Sequence, residues 1–288
     1  MTRALLLAGI AALLCGCSQP ADQPPAAQTY QRVVTLAPNL TELIYAVGAA
    51  ETLVGVSAWS DYPPPARQLP VVGDAFTVDH ERLLLLQPDL LLVWESGTPA
   101  HTIEKLRELG YTVEAIRTRS LTDVSTAMQH IGQLTGHDRE ARDAATVFDN
   151  GVQSLRQAQA GSAGISVFYQ VSARPLYTVN GEHYVSELIE VCGGHNIFED
   201  LSDLAPAISV EAVVERNPEV MLASTDAGAD GFAEWERWPE LRANRYGNHY
   251  LLPADEIARA TPRLLAAGAA MCTALQQARK NRAAAATQ

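Results

Sequence analysis

Positive charge is scarce in this chain of 288 residues. The 21 Lys and Arg face 33 Asp and Glu, a formal net charge of −12, which excludes a basic nucleic-acid binder. The apolar run Ala4–Leu14 falls well short of the ~20 residues a permanent membrane helix needs. With 47% apolar and 19% charged residues the chain is too polar for a multi-span membrane protein and too apolar for general disorder. Catalytic signatures are also missing: there is no G-x-S-x-G elbow, no phosphate-binding glycine loop and no H-E-x-x-H, and none of the seven histidines lies three or four residues from another. No catalytic residue, resident metal or cofactor is therefore expected. Two histidines merit a note: His195 follows a glycine pair that a turn explains better than a metal does, and His183 falls in a loop that could face a ligand.

What is present begins with an export signal. Arg3 precedes the apolar run, and residues 1–16 read as a signal peptide. Leu14-Cys15-Gly16-Cys17 resembles the bacterial lipoprotein box, which makes Cys17 the expected lipid anchor; an ordinary secretory signal is the alternative. The proline-bearing stretch that completes residues 17–31 reads as a flexible tether. Of four cysteines, Cys192 and Cys272 remain in the exported body, 80 positions apart and without metal-ligand spacing. In an oxidising compartment they read as a disulfide, with two separately buried thiols as the alternative.

The body alternates β-branched runs with segments of helical period. Arg32–Leu36, Val54–Ser57, Val71-Val72, Leu90–Val93 and Thr112–Ile116 read as strands of an N-terminal α/β lobe over residues 32–136. Residues 137–160 contain no proline and place Ala141, Ala144, Ala145, Phe148, Val152 and Leu155 at helical spacing, predicting one long helix of about 35 Å. Strand patterns return from Ile165, giving a second lobe over residues 161–280 and a disordered tail at 281–288. The expected fold is thus α/β: two Rossmann-like lobes with mainly parallel sheets, joined by one long rigid helix, with a ligand cleft between them. An internal repeat supports the duplication. Glu81, seven residues before Pro88 and the strand after it, matches Glu211, seven before Pro218. Each could be only a helix-dipole partner, but matching places in two lobes suggest a paired external surface.

Ligands of open α/β sheets bind beyond the carboxyl ends of strands. Those positions carry Asn39, Trp59, Phe76 and Trp94 in the first lobe and Tyr177, Asp255 and Arg259 in the second. Only 6% of the chain is aromatic, yet two of its four tryptophans sit at equivalent strand ends. Aromatic walls with a few polar groups suit a large, flat, mostly apolar ligand, although each tryptophan could instead cap the core.

Arg32–Pro38 with Thr41-Glu42-Leu43, Ser60-Asp61-Tyr62-Pro63-Pro64, Pro88–Leu91, Glu190–Phe198 and Ala260-Thr261-Pro262-Arg263 together resemble the periplasmic cobalamin-binding receptors of ABC importers. These belong to a wider class that serves siderophores, haem and cobalamin through two lobes and a rigid linking helix. The resemblance implies a substrate-binding lipoprotein of the bacterial envelope, on the periplasmic face, that catalyses no reaction. It would act as a monomer, carry a corrinoid as transported ligand, and deliver it to a permease and its ATPase. It further implies permease docking through Glu81 and Glu211, a Cys192–Cys272 disulfide, and ligand contacts at Asn39, Trp59, Trp94, Tyr177, Asp255 and Arg259, the last two with Asn39 hydrogen-bonding amides. Three places depart from the pattern: Ala75-Phe76 and Ala205 stand where tryptophans are usual, and Glu256-Ile257 replaces an aromatic pair. A haem or iron-siderophore receptor is therefore the alternative reading, and an envelope enzyme using the same cleft a more distant one.

Overall fold

The computed structural model describes residues 29–287 apart from Ala75 and Ala229. The expected signal peptide, Cys17 and most of the tether lie outside the described residues. The first lobe runs β1 (Val33–Thr35), α1 (Pro38–Ala46), β2 (Leu53–Val56), α2 (His80–Leu86), β3 (Leu90–Trp94), α3 (Ala100–Glu108), β4 (Val113–Ile116) and α4 (Leu121–Thr135). Helix α5 (Asp138–Ala158) follows. The second lobe runs β5 (Ile165–Gln170), a hairpin of β6 (Ser172–Ala173) and β7 (Leu176–Tyr177), α6 (Tyr184–Val191), β8 (Gly194–Asn196), α7 (Val210–Arg216), β9 (Val220–Ser224), α8 (Arg242–Tyr246), β10 (His249–Leu252), α9 (Ala254–Ile257) and α10 (Leu264–Ala285).

Each lobe holds a four-stranded, wholly parallel sheet, in the orders β2-β1-β3-β4 and β10-β9-β5-β8. Leaving the small hairpin aside, the two orders are the same: in both, the second strand lies outside the first, and the chain then crosses to add the third and fourth on the other side. Central strands such as Val33-Val34-Thr35 and Val220–Ala223 are buried on both faces, as parallel strands covered by helices must be. The crossing point falls between β1 and β3 in one lobe and between β5 and β9 in the other, which is where such sheets leave a crevice at their carboxyl ends.

Local signals fix the helix ends. Asp79 and Ser209 accept hydrogen bonds from the backbone N–H of Arg82 and Ala212, capping α2 and α7. Both helices end on left-handed residues, Gln87 and Asn217, directly before Pro88 and Pro218. Ser120 and Asp123 form a capping box on α4, and Gly136, at φ 79°, ends it.

Helix α5 spans 21 residues, about 32 Å. It packs on α4 from one side and on α10 from the other. A Cβ at Gly151 would lie 2.6 Å from Leu265 Cδ1, so this glycine lets the two helices approach closely. One apolar cluster runs without a break from Val33 and Leu40 through Met128, Ile131 and Phe148 to Leu188 and Leu275. The lobes therefore share a core behind the cleft rather than meeting through a bare hinge. Glu187 of α6 adds a polar tie, accepting a 2.6 Å hydrogen bond from the Leu121 N–H at the start of α4. Cys192 and Cys272 are joined by a disulfide that fastens the end of α6 to α10.

Two expectations need correction. Val71-Val72 is not a strand of the sheet: Val71 makes an isolated bridge to Val56, preceded by Pro70 and turned away by Gly73 at φ 103°. Residues 281–285 do not belong to a disordered tail, because α10 continues to Ala285. Asn281 donates to Asn248 Oδ1 at 2.9 Å, and Arg282 donates to the Gly164 carbonyl and to Glu219, tying this last stretch to the second lobe.

Candidate functional site

A cavity of about 360 Å³ opens between the carboxyl ends of the two sheets. The first lobe supplies Asn39 from the first turn of α1, Trp59 beyond β2 and Trp94 at the end of β3. From the second come Asp226 beyond β9 and Asp255, Ala258 and Arg259 beyond β10. Five of the seven predicted ligand residues, Asn39, Trp59, Trp94, Asp255 and Arg259, are thus brought together. Phe76 and Tyr177 are not. Phe76 is 72% exposed, on a loop that leaves the sheet edge because Val71-Val72 forms only a bridge. Tyr177 lies half-buried in the β6–β7 hairpin, bridged to Ala207. The partner strand of that hairpin lines an adjoining cavity of about 460 Å³, which shares Asp226 with the first. Asp226 went unselected from sequence, although it follows a strand end in the same way as the others.

Trp59 occupies the third position of the turn Ser57–Ser60, with φ 66°. The turn is anchored from below, where Ser60 Oγ accepts from Thr41 Oγ1 at 3.0 Å and lies 3.2 Å from Ser57 Oγ. The indole itself is 80% exposed. Trp94 is half-buried and lies flat on the following loop: a Cβ at Gly97 would fall 1.9 Å from its ring, so the pose requires glycine there. Asn39 is buried, and among the described residues neither its Nδ2 nor the Nε1 of Trp94 has a hydrogen-bond partner. Both atoms are closed off from solvent, so they are unmet donors within the cleft wall rather than groups offered to its interior.

Arg259, the cation expected to hold ligand amides, is already occupied. Its Nη1 donates to Glu42 Oε1 at 2.9 Å and to Asp61 Oδ1 at 2.8 Å, and its Nη2 donates to the Trp59 carbonyl at 3.2 Å and approaches Asp255 Oδ1 at 3.3 Å. Glu42 and Asp61 belong to the opposite lobe, so the contacts bridge the cleft floor. Glu42 also accepts from Thr261 Oγ1 and Arg263 Nη1, and Arg263 stacks over Tyr62 at 4.2 Å. Partial burial works against the Asp61 carboxylate, but the hydrogen bond and charge of Arg259 outweigh it and hold its pKa below the ordinary aspartate value. For Arg259 burial disfavours the charge, and the hydrogen bonds to Asp61 and Glu42 more than restore it. Among the described residues lining this first cavity, Arg259 is the only cation, and three carboxylates surround it; Arg174 lines the adjoining one.

His183 does not face the cleft as a ligand. Its Nδ1 accepts from the Val185 N–H as the N-cap of α6, and burial pushes its pKa down to about 4, so it is neutral. Among the described residues no group of three His, Cys, Asp or Glu is placed to hold a metal.

On the outer surface, Glu81 and Glu211 both stand exposed in the first turn of their helices, α2 and α7. The pKa of Glu211 is lowered by its own backbone N–H and by the Ser209 hydroxyl.

A family profile described as Periplasmic binding protein matches residues 33–256. The vitamin B12-binding protein of Vibrio cholerae serotype O1 is 37% identical over 251 residues, covering 87% of this chain and 91% of that relative. Its counterpart from Pectobacterium atrosepticum is 33% identical over 254 residues, covering 86% and 89%. Among solved structures, the periplasmic vitamin B12 binding protein BtuF of Vibrio cholerae superposes with a TM-score of 0.79 at 36% identity, covering 87% of this chain and 98% of that one. The periplasmic heme-binding protein RhuT from Roseiflexus sp. RS-1 shares the fold at 23% identity, with a TM-score of 0.75 over 86% and 98% of the two chains.

Proposed function

Because the chain belongs to the periplasmic binding protein family, we propose that it is the receptor of an ABC importer, capturing cobalamin or a related corrinoid between its lobes and delivering it to the permease. The corrinoid is cargo rather than cofactor, and the receptor performs no chemistry on it. One observation carries the choice of ligand: the cleft offers aromatic faces, while its cation is consumed by carboxylates. A corrinoid presents a broad apolar ring edged with uncharged carboxamides, which suits aromatic walls and needs no free cation. Haem propionates or an anionic ferric siderophore would instead need free Arg or Lys, and would meet Asp226 and Asp255.

In this reading Trp59 and Trp94 pack on the ring, Asn39 and Asp255 hydrogen-bond its amides, and Phe76 and Tyr177 reach the ligand only at its periphery. Glu81 and Glu211 dock on cationic residues of the permease, one from each lobe. Cys17 carries the lipid that holds the receptor, as a monomer, at the membrane surface. The shared core behind the cleft supports a small closing motion rather than a wide hinge.

The test is calorimetric titration of the soluble protein from Ser18 with cyanocobalamin, cobinamide and haemin. One-to-one binding of a corrinoid, with haemin at least a hundredfold weaker, is expected. Binding of haemin in preference to both corrinoids would overturn the cargo assignment.

A further inference from the structure

Trp59 holds a backbone conformation that tryptophan rarely takes. At φ 66° in the third position of a four-residue turn, glycine or asparagine is the usual occupant. Burial of the indole does not hold it there, since the side chain is 80% exposed. The turn is fixed below by the Ser60 N–H to Ser57 carbonyl and Ala58 N–H to Gly73 carbonyl hydrogen bonds, and above by the Trp59 carbonyl, which accepts from the Asp61 N–H at 3.0 Å and, across the cleft, from Arg259 Nη2 at 3.2 Å. Arg259 is itself fixed by the first lobe, through Glu42 and Asp61 on its Nη1.

We propose that Glu42 and Asp61 are positioning residues for ligand recognition: they lock the Arg259 guanidinium of the second lobe onto the Trp59 carbonyl and so maintain the strained turn that presents the indole to the cleft. This rests on the assignment of Trp59 to a corrinoid cleft. It changes the role of Arg259 from ligand donor to clamp, since both of its terminal nitrogens are engaged by protein oxygens. It also couples recognition to lobe alignment, because the clamp closes only when Arg259 of one lobe meets Glu42 and Asp61 of the other. Strained non-glycine residues persist where the surroundings over-determine them, and they gather at ligand sites; here an ion-paired arginine from the opposite domain is added to the hydrogen bonds within the turn.

Asp61 is the member to test. The Glu42 side chain is 2% exposed and serves Thr261 and Arg263 as well, so its removal threatens the fold, whereas the Asp61 side chain is 42% exposed. Cyanocobalamin affinity would be measured for the wild type, Asp61→Ala, Trp59→Ala and the double variant. Trp59→Ala is expected to weaken binding about thirtyfold and Asp61→Ala about tenfold, both within the usual range for truncating a central contact. If Asp61 acts through Trp59, the double variant stays near thirtyfold, because the second loss has nothing left to act on. Asp61→Asn, which keeps an acceptor but no charge, should lose less than Asp61→Ala, and it replaces that variant in the cycle should Asp61→Ala not fold. Losses that multiply toward three-hundredfold, or a silent Asp61→Ala, overturn the positioning role while leaving the corrinoid reading in place. A wild type that does not bind cyanocobalamin overturns both.

Discussion

The two lobes repeat one strand order, yet at the carboxyl ends of their strands they carry different chemistry. The first brings aromatic surface and an amide, Trp59, Trp94 and Asn39; the second brings charge, Asp226, Asp255 and Arg259. Their outward helices have stayed alike: a side-chain cap at Asp79 or Ser209, an exposed glutamate at Glu81 or Glu211, a left-handed end at Gln87 or Asn217, then proline. Even the residue after the proline is used alike. Asp89 accepts from the Arg32 N–H ahead of β1, and Glu219 accepts from the Ser166 N–H in β5. The duplicated scaffold is symmetric where two equal contacts with a partner are proposed, and asymmetric where one ligand must be held. In the proposed function, that division separates what binds from what docks.

The comparison can be broken in four places, from the largest effect to the smallest. Only the second lobe has a disulfide among the described residues, and it closes an 80-residue loop. Cys192→Ala with Cys272→Ala should lower unfolding stability by about 4 kcal/mol on the loop-entropy estimate, read from denaturant curves; loss of less than 1 kcal/mol would mean that the shared core alone sets the stability. Next is the aromatic wall of the first lobe. Trp94→Ala should weaken cyanocobalamin binding by about 2 kcal/mol, roughly thirtyfold, whereas Asp226→Asn should change it less than threefold, both by calorimetry. Equal losses would erase the division of labour within the cleft.

The outer pair predicts the opposite pattern. Glu81→Ala with Glu211→Ala should leave calorimetric affinity unchanged while cutting cellular uptake of labelled cobalamin about tenfold; uptake at the wild-type level would remove the docking assignment. The smallest effect is acid sensitivity of the bridge between lobes. The folded pKa of Asp61 lies below its unfolded value, so its contribution is complete above the ordinary aspartate range, near pH 4, and disappears as pH falls through the folded value. Because the group is partly exposed, the amount is at most about 1 kcal/mol. Melting temperatures of the wild type and Asp61→Asn should therefore differ at pH 6, with the gap narrowing as pH falls below the ordinary aspartate range; a gap that does not narrow with falling pH would show that the charge of Asp61 is not what matters.

Much of the fold was legible because its causes are local and periodic. The β-branched runs, the long helix over residues 137–160 and the repeat around Glu81 and Glu211 can all be read from residue spacing. The strand-end rule gathered five of the cleft residues for the same reason, since a strand's end is visible in sequence. It failed at Phe76, where a two-residue apolar run imitates a strand but pairs only once with the edge at Val56. It missed Asp226 through lack of selection rather than lack of signal.

The sequence by itself determined the class of the molecule: an acidic, duplicated α/β protein with two tryptophans at strand ends and a cysteine pair in its second half. It did so because burial patterns and turn residues act over short stretches of chain. Only the tertiary structure decided the electrostatics of the cleft. Arg259 stands 217 residues from Glu42 and 198 from Asp61, and nothing local reveals that these charges meet. A charge acts through whatever lies within a few ångströms of it in space, and that neighbourhood is made by folding. The same arginine that reads in sequence as a hand for the ligand is, in the fold, the clamp between the lobes.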